Sequence, residues 1–184
     1  MKKPQLQSNL SFRLMAWEFR IRDRLRPPAQ ILREAGVRDG MTVLDFGCGP
    51  GGFAIAAAKL VGKQGRVYAF DIHPLALKYV QSAIAKENIQ NVMVIGSDAI
   101  SQIPEESIDL VLAYDILHDL AEPVKMLSIM HRMLKLQGVL SVSDHHLDEA
   151  SILSKVTADR LFVLAERNQQ LFQFNKADIQ EAEK

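Results

Sequence analysis

Short apolar runs alternate with amphipathic stretches along most of this chain. Thr42–Phe46, Arg66–Phe70 and Val92–Ile95 read as strands, as do residues 108–113 and 138–142. The run at 108–113 is continuously apolar, the pattern of a strand covered on both faces. Helical spacing fills the gaps. Residues 53–61 form an alanine-rich helix. Pro74 opens a second, with Leu77, Val80 and Ile84 three and four apart. Pro123 opens a third, with Val124, Leu127, Met130 and Leu134 on one face. Upstream, residues 1–9 are polar, and residues 10–36 read as one or two helices interrupted at Pro27-Pro28, with Gly36 and Gly40 marking the end. Downstream, residues 148–158 read as helical. Residues 161–165 and 171–174 then flank the polar stretch 166–170, which predicts a hairpin.

Strands alternating with helices imply right-handed crossovers and a parallel sheet. The hairpin adds an antiparallel edge, for a mostly parallel sheet of seven strands. The expected organisation is an N-terminal helical segment, 1–36, as a candidate lid, and one compact α/β unit, 37–184. Composition fits a packed domain, with 48% hydrophobic and 24% charged residues in 184. Lys plus Arg and Asp plus Glu stand at 22 each, which argues against a broad nucleic-acid footprint. Arg20, Arg22, Arg24 and Arg26 form one local basic run, read as a solvated helix face. Cys48 is the only cysteine, so no internal disulfide forms. No apolar leader segment and no run long enough to span a bilayer is present, and the expected location is the cytoplasm. A homodimer is compatible with the sequence.

The most informative segment is Val43-Leu-Asp-Phe-Gly-Cys-Gly-Pro-Gly-Gly52, between a strand and a helix. Glycines at 47, 49 and 51 permit a tight turn and close approach of backbone to a ligand, beside the free amides of a helix N-terminus. Gly47, Gly49 and Gly52 also satisfy the G-x-G-x-x-G dinucleotide pattern. Asp45 separates the two readings. A carboxylate two residues before the first glycine suits an ammonium group or a held water, and suits a pyrophosphate poorly. Residues 45–51 resemble motif I of the class I S-adenosylmethionine-dependent methyltransferases, and the element order from about residue 30 to 175 is similar to theirs. The resemblance implies a Rossmann-like, doubly wound fold, with the glycine turn carrying the methionine end of S-adenosylmethionine and S-adenosylhomocysteine as product. Cys48 then resembles a loop residue rather than a nucleophile.

Asp71 ends the second strand about 20 residues past the turn, where a carboxylate can accept from ribose hydroxyls. The competing role is a helix N-cap before Pro74. By resemblance Ile72 packs on the adenine, Asp98 accepts from its amino group with the Ala99 backbone nearby, and the end of strand four at Tyr114 lies beside the sulfonium. Tyr114 either packs on the cofactor or caps the core. These positions all follow carboxyl ends of strands, where open α/β sheets bind ligands.

Methyl transfer from a sulfonium needs alignment above all, and a base only if the acceptor arrives protonated. His118, next to Asp119, and His145, after strand five, are the candidate bases, since imidazole titrates near neutrality. A histidine at the first position recurs in methyltransferases resembling those of ubiquinone and menaquinone synthesis. The alternative for His118 is a structural residue starting a helix. His145 and His146 should point opposite ways on an extended segment, so one at most faces substrate. Asp144, His145 and His118 lack a diagnostic metal spacing, and no metal is assigned. His131 reads as a surface residue. The lone cysteine is tied up in the glycine turn, which leaves no nucleophile for a cytosine-C5 mechanism, and Tyr114-Asp-Ile-Leu117 stands where DNA amino-methyltransferases carry Asn/Asp-Pro-Pro-Tyr. A small-molecule acceptor is expected, with Met15, Trp17 and Phe19 as apolar surface of the lid. The competing readings are a non-catalytic cofactor-binding or scaffolding protein and, further off, an NAD-dependent oxidoreductase.

Overall fold

The computed structural model describes residues 8–168 and 171–177. Its helices are α1 (Asn9–Leu25), α2 (Pro28–Glu34), α3 (Gly52–Leu60), α4 (Pro74–Glu87), α5 (Pro123–Met133) and α6 (Glu149–Thr157). Its strands are β1 (Thr42–Phe46), β2 (Arg66–Phe70), β3 (Val92–Ile95), β4 (Ile108–Tyr114), β5 (Leu134–Ser143), β6 (Phe162–Arg167) and β7 (Phe172–Lys176). The strands form one seven-stranded sheet in the order β3-β2-β1-β4-β5-β7-β6. Pairs β1–β2, β2–β3 and β4–β5 are parallel, and β7 runs antiparallel to both β5 and β6. This is the mixed, mostly parallel Rossmann-like sheet that the sequence pattern predicts. The chain divides into two compact units, Met1–Gln102 and Ile103–Lys184.

In the first unit β1 and β2 are buried along nearly their whole length, which is why they read as apolar runs rather than alternations. Phe46 and Phe70 meet at 4.7 Å between ring centroids where these strands end. Local chemistry starts and stops the helices. The Ser8 hydroxyl accepts from Ser11 N at the start of α1, and Pro28 opens α2 without leaving an amide unpaired. Asn88 takes the left-handed conformation that ends α4. Helix α1 packs on α4 through Phe12 and Ala16 against Ala76, with Met15, Leu75 and Tyr79 around them.

In the second unit Leu112, Leu117, Met130, Met133, Phe162 and Phe174 are fully buried. Asp148 caps α6, its carboxylate accepting from Ser151 N at 2.8 Å. The sequence pattern places Leu134 on α5 and starts the fifth strand at 138, but β5 begins at Leu134. Leu134 is in register with Ile108 and Val139 with Leu110, so the residues between bulge outward and Leu136 is exposed. Gly138 closes the bulge, because a Cβ there would come within 2.9 Å of the Ile108 carbonyl. Val124, read as a core position of α5, is exposed.

Candidate functional site

In the first unit the ends of β1 and β2 converge on the glycine turn. The amides of Gly47 and Cys48 both donate to the Phe70 carbonyl at 2.9 Å, which folds the turn over the end of β2. Gly47, Gly49 and Gly51 all have positive φ, and at Gly51 a Cβ would also come within 2.8 Å of Val80 Cγ2. A Cβ on Gly52 would overlap the carboxylate of Asp23 from α1. The turn thus depends on glycine for its backbone shape and for its clearance.

Asp45 lies under this turn, buried, with Oδ2 bonded to nothing among the described residues. Burial, then the nearby Asp71 charge, push its pKa up to about 7, against the Ala54 amide that favours the ionised form. Asp71 binds the turn directly. Oδ2 accepts from Gly49 N at 2.9 Å and Oδ1 from His73 N at 2.8 Å. Burial raises the Asp71 pKa, and those two amides oppose it. Each oxygen keeps a lone pair for a further donor. The helix cap before Pro74 falls to His73 rather than Asp71, the ring Nδ1 accepting from Leu75 N at 3.1 Å. Cys48 is buried, and burial together with the charges of Asp45 and Asp71 holds its thiol well above the ordinary range, which disfavours the thiolate. Ile72 and Asp98 are exposed and Ala99 is half-buried, at the ends of β2 and β3.

Helix α1 covers part of this turn. Phe12 stacks on the His73 ring at 4.4 Å, and Phe19 is 3.8 Å from where a Gly49 Cβ would stand. Trp17, expected among the lid's apolar residues, points away and is exposed, and Met15 packs against Phe12. The roles of His73 and Asp23 were not legible in the sequence, since neither belongs to a glycine pattern.

In the second unit two loops exchange histidines and carboxylates. Asp144, after β5, is buried and takes the His118 ring Nδ1 at 2.9 Å, the His118 amide at 3.1 Å and the His146 amide at 3.0 Å. Burial alone would raise the Asp144 pKa, but these hydrogen bonds hold it below the usual range. Asp115, after β4, takes the His145 ring Nδ1 at 2.6 Å. It adopts a left-handed backbone with φ 52°, uncommon outside glycine though tolerated by aspartate. His146 lies between the other imidazoles, its ring 4.2 Å from His118 and 3.9 Å from His145.

Several expectations change here. The main partner of His118 is Asp144, while Asp119 reaches only its Nε2, at 3.5 Å. His118 sits in a turn rather than at a helix start. His145 and His146 do not point apart, because residues 144–147 form a turn closed by Leu147 N to Asp144 O. Among the described residues no group of three or more His, Cys, Asp or Glu side chains is arranged to hold a metal ion. Tyr114 is buried and its hydroxyl is 2.9 Å from Ser141 Oγ, the core-capping arrangement. His131 is half-buried rather than on the surface, edge-on to Phe162, and burial and then Lys176 lower its pKa.

The first unit fits S-adenosylmethionine on its own observations. Asp45 offers a buried, unpaired carboxylate oxygen to a cation, the glycines leave no side chain to fill the turn, and Asp71 has acceptor capacity for a diol. Comparisons with known proteins agree. The methyltransferase domain family matches residues 37–183. The ubiquinone/menaquinone biosynthesis C-methyltransferase of Marinomonas sp. is 31% identical over 127 residues, 68% of this chain and 51% of that protein. The demethylmenaquinone methyltransferase of Geobacillus stearothermophilus is 30% identical over 110 residues, 59% of this chain and 47% of that protein. The chain therefore spans about half the length of the curated relatives it matches. A solved S-adenosylmethionine-dependent methyltransferase from Aquifex aeolicus superposes with a TM-score of 0.72 at 26% identity, over 84% of this chain and 91% of that one. The chain belongs to the methyltransferase domain family, with its Rossmann-like fold.

Proposed function

We propose that this protein methylates a small, quinone-type acceptor at carbon, with His118 as general base. When bound, S-adenosylmethionine supplies a methyl group on a sulfonium that is already a good leaving group. Asp45 pairs with the ammonium of its methionine end, the glycine turn at 47–52 leaves room for the ligand against the main chain, and Asp71 accepts from the ribose hydroxyls. Ile72, Asp98 and Ala99 are assigned to the adenine. Tyr114 shapes the end of β4. Helix α1, with Phe12 and Phe19, acts as the lid.

A ring carbon that takes up a methyl group must lose a proton, from that carbon or from an adjacent hydroxyl. The observation that carries the reading is the His118–Asp144 pair. A carboxylate on Nδ1 fixes the tautomer in which Nε2 bears the lone pair, and stabilises the imidazolium once Nε2 takes the proton. A base oriented this way is redundant for an acceptor that arrives as an anion, and is needed for one that arrives protonated. The quinone class itself is supported by the names of the curated relatives. His145, held by Asp115, is assigned to orienting the acceptor.

The test is transfer of a labelled methyl group to a short-chain demethylated hydroquinone, chosen to remain in solution. Incorporation at carbon, with turnover lost in His118→Ala while S-adenosylmethionine affinity is kept, is the expected result. Transfer only to amines or simple hydroxyl compounds would overturn the acceptor class. Unchanged turnover in His118→Ala would overturn the base.

A further inference from the structure

Helix α1 is apolar on two opposite faces. One face is spent inside the first unit, where Phe12 and Ala16 pack on Ala76. The other carries Leu10, Leu14, Trp17, Ile21 and Leu25, all exposed, Trp17 by 62% and Leu25 by 79%. At helical spacing these five side chains fall within an arc of about 80° and make a continuous stripe about four turns long. Scattered apolar residues on a surface are ordinary; a contiguous stripe left exposed among the described residues is not.

The charges bordering the stripe point to its partner. Arg13, Arg20 and Arg24 follow one edge, with no carboxylate among them. Of the two acidic residues of α1, Asp23 is turned inward to the glycine turn beside Arg22, and Glu18 lies on the opposite edge. The chain as a whole is neutral, so this basic border belongs to the helix. A central tryptophan, flanking arginines and low overall hydrophobicity are the marks of a helix that lies in a membrane interface. Spanning is not at issue, since no described helix is long and apolar enough to cross a membrane. Self-pairing fits less well, because antiparallel association of two copies would set the arginine edge against itself.

We propose that α1 docks this enzyme on an anionic lipid bilayer, with the stripe in the interface and Arg13, Arg20 and Arg24 on the headgroups. The chain then works at the surface where a lipid-dissolved acceptor resides. That last link rests on the quinone reading; the docking does not, and its test measures no methyl transfer.

Trp17 is the only tryptophan, so its fluorescence reports on the stripe directly. The full chain is titrated with phosphatidylcholine vesicles, with and without phosphatidylglycerol, and the mixtures are also sedimented. The expected result is a blue shift and co-sedimentation with the anionic vesicles alone, weakened by salt. The Arg13→Gln/Arg20→Gln/Arg24→Gln variant should partition on the order of a hundredfold more weakly. Leu14→Ser/Leu25→Ser, at exposed positions that the fold does not use, should cost at least about tenfold with far-UV circular dichroism unchanged. Absence of binding to anionic vesicles would overturn the proposal. So would binding indifferent to both variants, or a dimer in sedimentation velocity that the serine variant dissolves.

Discussion

In the first unit the groups that build the proposed site are mostly main chain: a turn whose amides at 47, 48 and 49 are tied to Phe70 and Asp71, kept clear of side chains by glycines, with two carboxylates beside it. In the second unit they are side chains borrowed between loops, with Asp144 holding His118 and Asp115 holding His145. Backbone sites are built by one local stretch of sequence and fail when that stretch is given side chains. Borrowed sites are built by register, and fail one chemical step at a time. The first unit should therefore lose binding when disturbed, and the second should lose rate.

The largest effect expected is on rate. His118→Ala should lower turnover by about 10²–10⁴-fold, with S-adenosylmethionine affinity within about twofold, measured by single-turnover kinetics and calorimetry. A matching loss of affinity would erase the division of labour. Gly51→Val is the counterpart. Forcing φ 90° on a β-branched residue and driving its Cβ into Val80 should cost about 2–4 kcal/mol of stability and on the order of 10²-fold or more in cofactor affinity. Asp71→Ala should weaken S-adenosylmethionine about tenfold or more, since it removes charged acceptors and frees the Gly49 amide.

Asp45 sharpens the comparison through pH. Its folded pKa, about 7, lies above the ordinary carboxylate value of 3.8. Between those values the unfolded chain has lost the proton that the folded one keeps, so the contribution of Asp45 to stability declines as pH rises through that window. Cofactor binding should run the other way. Pairing with an ammonium favours the ionised form, so affinity should rise with pH toward and past 7, with a proton released on binding in the lower part of that range. Calorimetry in buffers of different ionisation enthalpy measures that proton. In Asp45→Asn the release should vanish, and the unliganded protein should be more stable at pH 8 than the parent. The smallest effect belongs to Asp115→Asn. His145 is largely exposed, and loss of the carboxylate that holds its ring should cost about 1 kcal/mol or less in thermal unfolding.

Legibility followed the same division. The bounds of β1, β2 and β3 could be read from sequence because Gly, Pro and Asn break the apolar runs cleanly around them. The glycine turn and Asp71 were legible because their chemistry is local or at a fixed distance along the chain. The start of β5 was not, since Leu134 satisfies helical spacing from Leu127 and Met130, and only its register with Ile108 draws it into the sheet. The histidine clamps were not, because Asp144 is 26 residues from His118, and the adjacent Asp119 offers a nearer partner on paper. His146 was misjudged because its segment turns where an extended strand was expected. His131 was misjudged because its burial depends on Phe162, a residue of another strand.

Cys48 leaves one practical consequence. The chain's single thiol is buried and held in its protonated form, so maleimides and mild oxidants should pass it by. A cysteine placed at any exposed position would then be the sole reactive one, and spin or fluorophore labels could be installed without first mutating the wild-type chain.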